Sequence, residues 1–273
     1  MLRSCPGVLT RPLSLWCALQ DGSPRSVALT GGLQMPMVGL ALGGAGGAAA
    51  GEVTAALGAL SGEQGLLLYV EEGDAKAAEA LAEVKENGSA FVVAAVTTAT
   101  GESAETAARA LLKRLGRSSV DVLVAVGEVA SAARWAELAG LVEAGLAKAL
   151  GVAVEDEAQL SALMAAAPAP APVLNAAPLG PRAARRRLVG LCRRHRMALL
   201  ATRPMGEAGT DAALPQVAEV AQRFGGGLSP QRLLVKWSAQ RGVASVASKA
   251  DEVAGLWDFM LAMDDKAVID GLM

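Results

Sequence analysis

Short, almost uniformly apolar runs recur along this chain, separated by stretches with helical periodicity, and this alternation constrains the fold more than any other feature. The runs are Leu66–Val70, Phe91–Val96, Val120–Val126, Lys148–Val154 and Met197–Ala201. A strand with one wet face alternates polar and apolar residues, whereas runs like these belong to strands buried on both faces. Between them, Trp135, Leu138, Leu141 and Val142 fall at helical spacing. A second helix is expected with Glu155, Asp156 and Glu157 in its first turn, favourable to the helix dipole, ahead of Leu160, Leu163 and Met164. Pro215 and Pro230 suit first-turn positions, Ser229 suits a cap before Pro230, and Gly242 can end that helix. Repeated βα units imply a parallel sheet. At 273 residues the expectation is a single α/β domain closed into a (β/α)8 TIM barrel.

Composition narrows the classes further. Hydrophobic residues make up 52% of the chain and charged residues 19%, which suits a large buried core. A net charge of −2 gives no general attraction to nucleic acid. The alanine-rich runs never reach the ~18 uninterrupted apolar residues of a membrane span. Three cysteines, Cys5, Cys17 and Cys192, imply neither a disulfide framework nor a metal cluster. Residues 1–27 read as an N-terminal extension: Arg3 and Arg11 with no acid before Asp21 suit either an organelle transit peptide, mitochondrial or plastid, or an unfolded extension in the cytoplasm. The barrel is expected over 28–273. Gly43–Gly51 is expected as a loop and Ala167–Pro172 as a stiff connector.

Six segments carry a resemblance to a known family. They are Leu29–Leu40, with Met-Pro followed by Gly-Leu; Leu111-Leu-Lys-Arg-Leu-Gly116 leading into Val120–Val124; Trp135-Ala-Glu-Leu138 through Gly151-Val152; Leu191–Ala201; Ser229–Val243; and Val268-Ile-Asp-Gly-Leu272. In this order, from about Ala28 to Met273, they resemble the aldo-keto reductases, and the chain looks like a divergent member of that family. The resemblance implies an N-terminal hairpin that opens the barrel, NADP(H) as hydride donor, and a catalytic tetrad of Asp, Tyr, Lys and His.

The positions matching that tetrad lack the required groups. Val70 stands at the Asp position, Ala75 at the Tyr position, Ala95 or Ala99 at the Lys position and Val126 at the His position. No catalytic residue is therefore assigned. Tyr69, the one tyrosine, neighbours the Asp position and is expected to face the helix layer; His195, the one histidine, is expected on an outer, arginine-rich helix. The family's carboxamide grips become Ala153-Val154 and Asn175-Ala176, and its stacking Tyr becomes Thr202. The stretch matching its phosphate site keeps Ser248 and Lys249 but adds Asp251 and Glu252, which oppose an anion. The resemblance places a substrate loop after the Val268–Leu272 match, where this sequence ends. Asn175, Ser248 and Lys249 remain as candidate cofactor ligands, for no or weak NADP(H), and no metal site is expected.

Three functions remain open. The first is a catalytically inactive barrel acting as a binding, regulatory or accessory subunit of a larger assembly. The others are an NADP(H)-dependent reductase of a small carbonyl substrate and a dinucleotide sensor without turnover. A partner surface is suggested by seven arginines and no acid between Arg182 and Arg196. Read as one helix at ~100° per residue, Arg182, Arg185, Arg186, Arg193 and Arg196 fall within an arc of about 100°, suited to an acidic protein surface or an anionic headgroup. The segment has no aromatic residue for stacking on nucleic acid bases.

Overall fold

The computed structural model describes residues 24–43, 46–60, 65–71, 74–84, 90–97, 102–127, 132–166, 168–183, 185–225 and 227–273. Expectations that fall on residues 1–23, on Ala99 or on Ala167 lie outside these.

A hairpin of β1 (Ser26–Ala28) and β2 (Gln34–Pro36) leads into eight parallel strands: β3 (Val38–Leu42), β4 (Leu66–Val70), β5 (Ala90–Thr97), β6 (Val120–Val126), β7 (Ala147–Ala153), β8 (Leu174–Ala177), β9 (Ala198–Ala201) and β10 (Ala244–Ala247). They hydrogen-bond in the order β10-β3-β4-β5-β6-β7-β8-β9 and close into a barrel. The expected (β/α)8 architecture and N-terminal hairpin are both present. Helices α1 (Ala50–Ala59), α2 (Ala75–Ala82), α3 (Ala104–Leu115), α4 (Ala132–Glu143), α5 (Glu157–Ala165) and α6 (Arg186–Arg194) follow β3 to β8 in turn. Between β9 and β10 stand α7 (Pro215–Arg223) and α8 (Pro230–Gln240), and α9 (Met263–Asp270) follows β10.

Strand alternation sorts the apolar side chains into two layers. Leu67, Val93, Val122, Val124, Leu174, Leu200 and Val246 fill the barrel interior, and Leu29, Met35 and Met37 of the hairpin close its base. Leu66, Leu68, Val70, Leu123 and Leu150 point the other way and pack with Leu111, Leu138, Leu160, Leu188 and Val235 of the helices. Closure requires glycine at one place. A Cβ on Gly39 would stand 1.8 Å from the carbonyl oxygen of Leu67 on β4, so β3 could not pair at this register with any larger residue.

Local signals explain the helix ends. Ser103 Oγ accepts from the Thr106 amide and Gly116 takes φ 63° after α3, with Lys113 and Arg114 in the last turn. Ser229 Oγ accepts from the Arg232 amide ahead of Pro230, and Gly242 takes φ 70° beyond the last turn of α8, as the sequence indicates. Two expectations shift. Asp156 is the cap of α5, accepting from the Ala158 amide, and Glu155 lies ahead of the helix. The loop expected over Gly43–Gly51 is shorter than that, because the Ala48 amide donates to the Ala41 carbonyl at 2.7 Å and α1 begins at Ala50.

Candidate functional site

The C-terminal ends of the eight strands form the rim of the barrel, where this architecture places binding and chemistry. Val126 and Ala153 are half-buried there, and Ala95 and Ala176 lie inside, so these four described positions offer only small or apolar surface. Ala75, at the position matching the reductase tyrosine, is an exposed residue in the first turn of α2.

Tyr69 corrects the sequence reading. Its ring lies in the interior cluster with Leu67, Val93 and Val124, whereas Val70 faces the helices. Alternation along β4 is as expected, but its phase is reversed, so Val70 cannot present a group to the mouth. The phenol is 4% exposed. Burial pushes its pKa above the ordinary tyrosine range, the Glu71 carboxylate pushes it further, and the Arg203 guanidinium draws it back only in part. Arg203 itself is shared between two acids, with Nη2 3.2 Å from Glu71 Oε1 and Nη1 3.1 Å from Glu207 Oε2. All three are well exposed, so solvent weakens the ion pairs. A phenol held protonated can donate a hydrogen bond. It is poorly suited to give up its proton near neutral pH, where a general acid needs a matched pKa.

Beside the rim, a cavity of ≈ 400 Å³ runs between β5 and α3, lined by Glu71, Thr97, Glu102, Arg114, Ala95 and Leu111. Sequence reading missed Glu71 and Arg203, although Arg203 directly follows Thr202. Their only signal was polarity just beyond the last apolar residue of a strand.

The three candidate cofactor ligands are not brought together as one free site. Asn175 is fully buried and faces the outer layer: its Oδ1 accepts from the Val154 amide and its Nδ2 donates to the Val154 carbonyl, both at 3.0 Å, with Cys192 Sγ 3.6 Å away. Ser248 and Lys249 follow β10, and both their amides donate to Glu252 Oε2, at 3.0 and 3.2 Å. The Lys249 side chain is exposed.

The arginine segment is also corrected. Only Arg186–Arg194 is helical, so Arg182, Arg185 and Arg196 do not extend the face of α6. Arg185 and Arg196 take left-handed backbone conformations, φ 43° and 55°, and bracket the helix. Arg182 pairs with the buried Asp211 and Arg185 with Glu155. Arg193 donates to the Arg241 carbonyl at 2.7 Å. His195 is the exposed residue directly after α6.

Among the described residues no group of His, Cys, Asp and Glu could hold a metal ion, and no helix is long and apolar enough to cross a membrane.

A closed parallel barrel with a hairpin beneath it and a rim for binding defines the class of scaffold. The fold is similar to that of an aldo/keto reductase. An aldo/keto reductase from Brucella melitensis superposes with a TM-score of 0.74 at 20% identity, over 91% of this chain and 99% of that one. A 9,11-endoperoxide prostaglandin H2 reductase of Trypanosoma cruzi (strain CL Brener) is 26% identical over 146 residues, 50% of each sequence, so the match spans about half of that relative's length. No family model matches the chain.

Proposed function

We propose that this chain is a catalytically inactive aldo-keto-reductase-like barrel serving as a binding, regulatory or accessory subunit, with no or weak NADP(H) binding. The observation that carries the reading is the state of the one tyrosine. Where a reductase needs a phenol with a lowered pKa at the mouth, Tyr69 is buried beside an acid and its pKa is raised. Ala95 on β5 cannot supply the cation that would reverse the shift. The residues present do not fit a nicotinamide dinucleotide, since the amide of Asn175 and the backbone amides of Ser248 and Lys249 are bonded within the protein.

A second reading has one observation behind it. Tyr69 does face the interior, near Arg203, and a small carbonyl substrate could meet both in a rearranged NADP(H)-dependent site. Removing acid-base support typically costs at least ~10² in rate, which favours the inactive reading. The test is reduction of a panel of aldehydes and ketones with NADPH, alongside a fluorescence titration of NADPH. The inactive reading expects rates equal to buffer and weak or no binding. Turnover abolished by Tyr69→Phe or Arg203→Ala would establish the rearranged reductase, and saturable NADPH binding without turnover a dinucleotide sensor.

The partner surface we propose is narrower than the full arginine stripe. Arg186, Arg187 and Arg194 are exposed on α6 and take no part in the ion pairs of Arg182 and Arg185. Their guanidinium forks suit acidic protein surfaces. Arg186→Glu with Arg187→Glu and Arg194→Glu should leave the fold intact and release an acidic partner. Unchanged partner recovery at low and moderate salt would mean that the face is merely solvated.

A further inference from the structure

Three successive backbone amides at the exit of β10 are bonded to the chain's own carboxylates. Ser248 N–H and Lys249 N–H donate to Glu252 Oε2 at 3.0 and 3.2 Å, and Ala250 N–H donates to Glu52 Oε2 at 2.6 Å. The two acids reach this point from separate places. Glu52 belongs to α1 and is separated from Ala250 by 198 positions in sequence, whereas Glu252 closes the single 3-10 turn Ala250–Glu252. Glu252 is nearly buried, at 9% exposure. Its carboxyl pKa is raised, chiefly by that burial and also by Asp251, while the two amides and the Lys249 charge lower it only in part. Holding a carboxylate here is therefore costly, and the amide bonds are its compensation.

We infer that Glu52 and Glu252 act as a built-in anion, occupying the loop amides that an external phosphate would need, so that the loop after β10 closes without a ligand. The inference rests on the reading of this barrel as one without cofactor chemistry. Each backbone N–H is a single donor. A phosphate arriving here must displace both carboxylates and then remain beside them, negative against negative. It could bind only to a minor open state, and its apparent affinity falls by the fraction of time that state is populated. Lys249, the nearest cation in sequence, is exposed, so solvent weakens its attraction for an anion. The bond from Ala250 to Glu52 also ties the turn after β10 to α1, which follows the neighbouring strand β3. Carboxylates of the chain thus hold together what a bound ligand would otherwise order.

The test is amide hydrogen exchange at Ser248, Lys249 and Ala250 in the full ligand-free chain, repeated with NADPH and with inorganic phosphate. In the wild type the three amides should be protected, and neither NADPH nor phosphate should change them. Glu52→Ala should speed exchange at Ala250 by at least roughly tenfold while leaving Ser248 and Lys249 protected, and Glu252→Ala should do the reverse. Glu52→Gln and Glu252→Gln keep an acceptor oxygen and should retain most of the protection, which separates a local loss from general loosening. Exchange unchanged by the alanine substitutions, or raised equally at all three amides, overturns the inference. So does saturable extra protection of the wild type by NADPH or phosphate. Carbonyl turnover by a wild type whose amides behave as expected would instead overturn the inactive reading, with the fault lying there and not in the carboxylate-closed loop.

Discussion

The side-chain amide of Asn175 on β8 is bonded to both backbone groups of one residue, Val154, which follows β7: the Val154 amide donates to Oδ1 and the Val154 carbonyl accepts from Nδ2, each at 3.0 Å. Asn175→Ala should leave those two buried groups without partners. At ~1–3 kcal/mol for each, the expected loss is about 2–6 kcal/mol, read as a lower midpoint in urea unfolding. If the substitution left stability unchanged and altered only nucleotide binding, Asn175 would be a ligand-binding residue and not a clamp.

Tyr69 is the single tyrosine, so the phenolate absorbance of the whole protein reports one group. Its pKa is raised, chiefly by burial. A group with a raised folded pKa contributes stability that is fully present below the unfolded value, about 10. That contribution is lost as pH climbs through the folded value. An alkaline titration should therefore show no phenolate while the protein is folded, then a sharp rise coinciding with unfolding by circular dichroism. Phenolate appearing near pH 10 in the folded protein would contradict the buried placement. Tyr69→Phe should flatten the loss of stability with rising pH.

Gly206 lies at φ 77°, and a Cβ there would stand 2.6 Å from Cγ of Asp211. Asp211 is buried and bonded to both the backbone amide and Nε of Arg182, so it has little room to move. Gly206→Ala combines left-handed strain with that clash and should cost at least about 1–3 kcal/mol. A melting temperature equal to that of the wild type would show that the loop after β9 relaxes freely.

Cys192 is a free thiol on the buried face of α6, and burial raises its pKa although the Asn175 amide lowers it in part. Neutral thiols react slowly with alkylating agents. Peptide mapping after brief alkylation should find Cys192 unmodified in the folded protein and modified in urea. Rapid labelling without denaturant would mean that α6 opens readily from the barrel.

The parts of the fold that were legible in sequence are those fixed by short-range chemistry. β4 and β6 matched their expected bounds because strands buried on both faces read as unbroken apolar runs, and Ser229-Pro230 marked the start of α8. β8 and β10 carry a weaker signal: Asn175 breaks one apolar run and Ser245 the other, and both are buried all the same. The direction of Tyr69 was misjudged through phase. On a strand, counting one position differently turns every side chain to the opposite face. The arginine stripe failed for a different reason. Arg185 and Arg196 take a backbone conformation that favours glycine, with tertiary partners such as Glu155 fixing the segment, and nothing in their own identity announces it. The pairing of Glu52 with Ala250 joins opposite ends of the chain, and no local pattern encodes such a contact.

The hairpin under the strands makes the barrel a cup, not a tube. Leu29, Met35 and Met37 pack into one cluster with the interior side chains and so cover the base, leaving the rim as the open end. Base and rim are therefore separate compartments of tolerance. Substitutions at Arg203 or Lys249 and substitutions at Met35 should add in their effects on stability, because well-separated sites without shared partners behave independently. The rim of such a cup can be rewritten residue by residue while the base continues to specify the fold.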